Sequence, residues 1–170
     1  MRRLFCFILF LLMFVSQYAL SEEKPIRLHV IAEDDSKYHQ DMKLKIRDSV
    51  LLAARDVTTM AESPDEAYAR LFTSIALLRS IAREEALKDG FTGEISVEIG
   101  REYFPARLYG DLMMKEGEYP CVAVRIGKAE GKNWWCVLFP DLCYLGEYTG
   151  TGEIEFYSKW RYVFRKWLIG

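Results

Sequence analysis

Histidine is scarce in this chain: His29 and His39 are the only two among 170 residues. The familiar catalytic spacings are missing as well. There is no G-x-S-x-G, no H-E-x-x-H, no phosphate-binding glycine loop, no C-x-x-C and no calcium loop. No common hydrolase, zinc-protease or nucleotide-binding class is therefore announced, and neither cofactor nor small-molecule substrate is expected. After Val15 no apolar run approaches the roughly 20 residues needed to cross a bilayer. Basic residues are not in excess either. The formal net charge is −2, a balance at which general nucleic-acid binding is not expected. What the chain does have is a composition of 51% hydrophobic and 28% charged residues, which is that of a packed domain and excludes a disordered chain.

The N-terminus has a separate character. Arg2 and Arg3 precede an apolar run from Leu4 to Val15, and Ala19-Leu20-Ser21 supplies small residues before acidic Glu22-Glu23. That order reads as a secretory signal peptide over residues 1–21, followed by a single domain over 22–170. Without the leader, 21 Lys+Arg face 25 Asp+Glu, a net charge of −4. Export places the cysteines where thiols oxidise. Three remain, Cys121, Cys136 and Cys143, and an odd count leaves at least one free or paired between chains. Cys136 and Cys143 flank Phe139-Pro140-Asp141, and a turn at Pro140 would bring them within bridging range, so they form a candidate disulfide. Cys121 is expected to be a small buried apolar residue.

Ile26 to Ala32 alternates apolar and polar residues and predicts a strand with one buried face. Asp34-Asp35-Ser36 offers caps for a first amphipathic helix, about Lys37 to Val57, whose stripe is Met42, Ile46, Val50, Ala53 and Val57. Ser63, Pro64 and Glu66 announce a second helix through a capping box, with Ala67, Leu71, Ile75, Leu78 and Ala82 as its apolar face and Lys88-Asp89-Gly90 as its stop. Beyond Gly93 the period becomes two. Strands are predicted at Ile95 to Ile99, Arg107 to Met114, Tyr119 to Ile126 and Trp134 to Phe139, separated by turns at Gly100, Lys115-Glu116-Gly117 and Gly127 to Gly131. The expected class is α+β, with an N-terminal strand and two amphipathic helices packed on an antiparallel sheet meander.

Residues 146–152, rich in glycine, read as a flexible joint before a C-terminal tail. Helical spacing gathers Trp160, Val163, Phe164, Trp167 and Leu168 in one arc, with Lys159, Arg161, Arg165 and Lys166 largely outside it and no acid after Glu155. A basic amphipathic helix of this kind suits packing on the sheet with its basic face toward a receptor or an anionic membrane surface. Trp134 and Trp135, adjacent in a strand, must point to opposite faces. They join Trp160 and Trp167 as candidate partner-binding residues. His29 and His39 read as hydrogen-bonded or solvated, and Asp34-Asp35 as helix caps in preference to metal ligands.

Several blocks together resemble the stage II sporulation protein R family. They are Ile26 to Ala32 with Asp35-Ser36; Gln40 and Lys43 to Asp48; Phe104-Pro105 with Leu108-Tyr109-Gly110; Gly117-Glu118-Tyr119; and, most specifically, Asn133 to Pro140 with Leu142-Cys143. The chain departs from the family pattern at Glu33-Asp34, at Ala129 in a usually glycine-rich turn, at Cys121 and at Asp141. The resemblance implies a non-enzymatic signalling protein of endospore formation. Such a protein is exported from the forespore into the space between forespore and mother-cell membranes, and activates a membrane-embedded aspartic-type protease that matures pro-sigma-E. The competing readings are a secreted thiol hydrolase using Cys143 or Cys136 with His29 or His39, and a structural envelope protein.

Overall fold

A computed structural model describes residues 24–109 and 112–139. Strand β1 (Ile26–Ile31) is followed by helices α1 (Lys37–Thr58), α2 (Pro64–Thr73) and α3 (Ile75–Lys88). Strands β2 (Ile95–Phe104), β3 (Arg107–Tyr109), β4 (Leu112–Met114), β5 (Gly117–Ile126) and β6 (Asn133–Phe139) complete the described chain. The architecture is α+β. Two helix starts have the chemistry their sequence offers: the Ser36 hydroxyl accepts from the His39 amide and the Ser63 hydroxyl from the Glu66 amide, while Pro64 occupies the first turn of α2.

Four strands form one sheet in the order β2-β5-β1-β6, and β3 and β4 form a separate two-stranded ribbon. The expected antiparallel meander is corrected here: β1 lies between β5 and β6, parallel to β5 and antiparallel to β6, so the sheet is mixed. A parallel neighbour requires a crossover, and the three helices are part of the long connection that returns the chain beside β1. One sheet face packs on the helices. Leu28, Val30, Val97, Val122, Val124, Ile126 and Leu138 meet Met42, Ile46, Val50, Leu71, Leu78 and Ala82 there. A smaller cluster, Phe104, Met114, Tyr119, Cys121 and Val137, lies apart from this core, with Tyr109 and Trp135 against it. β1 is consequently covered on both faces, where its alternation predicts one.

Three further expectations change. The second helix is two, broken at Ser74, whose amide still donates to the Arg70 and Leu71 carbonyls. The Thr73 hydroxyl donates to the Arg70 carbonyl at 2.9 Å, a side-chain bond that competes with the helical ladder and favours a kink. The strand expected over Arg107 to Met114 is the β3-β4 ribbon, with Leu108 opposite Met113. The turn expected at Gly100 is absent, because β2 pairs with β5 without interruption from Ile95 to Phe104. The C-terminal tail, the joint at 146–152 and the leader at 1–21 lie outside the described residues.

Candidate functional site

Alternation along β1 sends Leu28 and Val30 to the helix side and Arg27 and His29 to the other, and the second pair organises the candidate site. Arg27 is fully buried. Its Nε donates to the Cys136 carbonyl at 2.9 Å and one Nη donates to the Tyr109 hydroxyl at 2.8 Å. The guanidinium lies over the rings of Phe104, Tyr119 and Tyr109, at 4.5, 5.1 and 5.5 Å from their centroids. Burial pulls its pKa below the ordinary arginine value, and the Tyr109 hydroxyl opposes that shift. Tyr109 also donates to the Trp135 carbonyl, so one buried cation ties the β3-β4 ribbon to β6.

Beside it, His29 Nδ1 lies 2.6 Å from the Glu102 carboxylate and Nε2 lies 2.8 Å from Asn133 Oδ1. Arg125 reaches the same carboxylate and also pairs with Glu98 at 3.1 Å. The hydrogen bond from His29 holds Glu102 below the usual carboxylate range against the opposing effect of burial, and the charges of His29 and Arg125 add to it. The Trp135 indole stacks on His29 at 5.4 Å, and the Arg107 guanidinium lies 4.5 Å from the indole centroid. Histidine, tryptophan and arginine thus form a stack rooted in an ion-pair network.

The tight connection into β6 is gripped from the opposite side. Asp35 accepts the Lys132 amide at 2.7 Å, the Ala32 carbonyl accepts from Gly131, and buried Lys43 donates to the Lys132 carbonyl and to Gln40. Burial lowers the Lys43 pKa. Arg47, paired with Asp48, lies 4.8 Å from the Trp134 ring centroid. The segment Asn133 to Cys136 is therefore held at every residue: by His29, by Arg47, by His29 with Arg107, and by Arg27.

The two tryptophans do take opposite faces: Trp134 packs against the main core and Trp135 against the smaller cluster. Both are half-buried, each beneath an arginine. His39 bonds Asp34 at 2.7 Å, and hydrogen bonds from Ser36 first, then His39, pull that carboxylate down to about 2. Asp34 caps the Ser36 amide and Asp35 clamps Lys132, so neither is the N-cap of α1, which is Ser36 itself. Cys121 is buried with a free thiol, as expected. Cys136 pairs in register with Leu28, one residue from the His29–Trp135 pair, so Cys136 and His29 face opposite sides of the sheet and form no dyad. Cys143, Trp160, Trp167, Lys159, Arg161, Arg165 and Lys166 lie outside the described residues. Arg27, Glu102, Arg107, Tyr109 and Arg125 carry the site without having been singled out as site residues. Alternation puts Arg27 at a polar position on the same face as His29, so the local pattern carried no sign that it is buried.

Residues 22–149 match the family described as Stage II sporulation protein R. Over 143 residues the chain is 34% identical to Stage II sporulation protein R of Bacillus subtilis (strain 168), a match covering 82% of this chain and 62% of that protein. The matched stretch thus spans less than two thirds of that relative's length. No solved structure matches.

Proposed function

The chain belongs to the stage II sporulation protein R family, and from that premise we propose that it is an exported signalling protein of endospore formation. In this reading it leaves the forespore, enters the space between the forespore and mother-cell membranes, and activates the membrane-embedded aspartic-type protease that matures pro-sigma-E. The observation that carries the reading is the convergence of the family-like blocks on one structural unit. Arg27, His29, Asp35, Gln40, Lys43, Arg47, Tyr109 and Asn133 to Cys136, drawn from four separate stretches of chain, hold a single strand and its entry turn. A rigid, side-chain-locked strand suits recognition, which costs less when the binding surface is ordered beforehand.

A ligand on the extracytoplasmic side activates a membrane enzyme only by binding its active state more tightly than its inactive one. A shift from 1:99 to 99:1 requires a preference of about 10⁴-fold. The candidate Cys136–Cys143 bridge would fix the chain just past β6, and the aromatic and basic residues of the tail would add a second contact with the receptor or with anionic lipid. Replacing Ile8, Leu11 and Leu12 together with aspartate disrupts the apolar run of the leader and is expected to abolish pro-sigma-E processing in sporulating cells, while the domain stays folded. Normal processing by that retained form would overturn the proposal.

A further inference from the structure

Arg27 brings a fork of N–H donors into the interior, and the fold satisfies them unevenly. Nε donates to the Cys136 carbonyl and one Nη to the Tyr109 hydroxyl, but the other, Nη1, is enclosed with no hydrogen-bond partner among the described residues. Buried donors are almost always satisfied. The rings of Phe104, Tyr109 and Tyr119 answer the positive charge and leave this donor unmet, and the Tyr119 hydroxyl donates to the Lys115 carbonyl.

The surroundings add positive charge and do not offset it. Burial is the main influence lowering the Arg27 pKa, and the nearby Arg107 charge adds to it. Lys24 lies 5.4 Å from the Tyr119 ring centroid, on the flank of the same cluster. The carboxylates near by among the described residues are engaged or turned away: Glu102 is held by His29 and Arg125, Glu116 by the Tyr103 hydroxyl, and Glu118 alternates with Tyr119 and so faces the other side of β5. A buried arginine without an opposite charge is the costly half of a buried ion pair. Because Nη1 is sealed from solvent, neither a partner's side chain nor a lipid headgroup reaches it, and only a small ion enclosed with the fold does. We propose that Arg27 Nη1 holds a small monovalent anion, chloride or an ion of its size, beneath the β3-β4 ribbon. The anion neutralises the buried guanidinium and offsets its repulsion with Arg107, so the packing of the ribbon on β6 depends on it.

The test unfolds the full chain in urea at fixed ionic strength while chloride replaces gluconate, an anion too large for the site. Stability is expected to rise with chloride, and above the dissociation constant each tenfold increase should multiply the ratio of folded to unfolded protein about tenfold. Arg27→Met keeps the apolar stem and removes the donor, so its stability should not respond to chloride. If that variant does not fold, crystals of the parent grown in bromide decide: an anomalous peak at hydrogen-bonding distance from Nη1 supports the site, and peaks only elsewhere, an adventitious ion only, overturn it. Chloride-independent stability of the parent would overturn it as well, because water or an internal carboxylate would then satisfy Nη1. So would an equal chloride response in Arg27→Met. Asp111, two residues beyond Tyr109, lies outside the described residues; a chloride response that appears only in Asp111→Asn would assign the role to that carboxylate and overturn the anion site.

Discussion

Cys121 and Arg27 occupy neighbouring strands at paired positions, Arg27 opposite Cys121, and burial acts on both. Desolvation first, and the Glu102 charge second, push the Cys121 thiol up to about 12, so it is neutral and inert in the folded protein. An unfolded cysteine ionises near pH 8.5. Between those values the unfolded state holds fewer protons than the folded one, so stability falls as pH rises. Relative to Cys121→Ala, the native protein is expected to lose about 1.5 kcal/mol between pH 8.5 and 10, read from urea midpoints at each pH. Parallel curves for the two proteins would show that the thiol ionises in the fold. Glu102 runs the other way: held low by His29, it contributes stability at neutral pH that is lost as pH falls through its folded value.

At the scale of elements, caps and turns decide where the chain changes direction. The Ser63 hydroxyl accepts from Glu66 at 3.2 Å while the Glu66 carboxylate accepts the Glu62 amide at 2.9 Å. The latter bond, with help from Arg70, holds Glu66 below its ordinary value. Ser63→Ala should therefore cost about 1 kcal/mol by chemical denaturation; no change would mean that α2 is held by packing alone. The turn between β5 and β6 explains a departure visible in the sequence. Ala129 sits at φ 54, in the left-handed region, where a side chain is strained and glycine is not. Gly131 is needed for a different reason: a Cβ there would lie 2.4 Å from the Asp34 carbonyl oxygen, and this close approach is what lets Asp35 and Lys43 clamp the entry to β6.

For the whole molecule, the first strand is a central one. β1 forms a ladder with both β5 and β6, so removing residues through Ala32 deletes both and separates β6 from the sheet. That truncation is expected to abolish cooperative unfolding and near-ultraviolet circular dichroism, and a native-like melting transition would show that β2 and β5 with the helices suffice. Pairing Arg27 with Cys121 joins residues far apart in sequence, a non-local topology that folds slowly. Much of the local chemistry was legible: the strand at Ile26, the cap at Ser63, the apolar stripes and the opposed tryptophans follow from periodicity and short-range hydrogen bonding, whereas the break at Ser74 and the unbroken run of β2 through Gly100 do not. The family, too, was legible in separate blocks. Sequence by itself could not say that those blocks meet, because strand order depends on which faces find cover, and that is settled only when the helices take one side of the sheet. Nor could it say that Arg27 is buried among aromatic rings, or that Glu102 and Arg125 complete the His29 site. Those contacts cross between strands distant in the chain, and only the tertiary structure brings their partners within hydrogen-bonding distance.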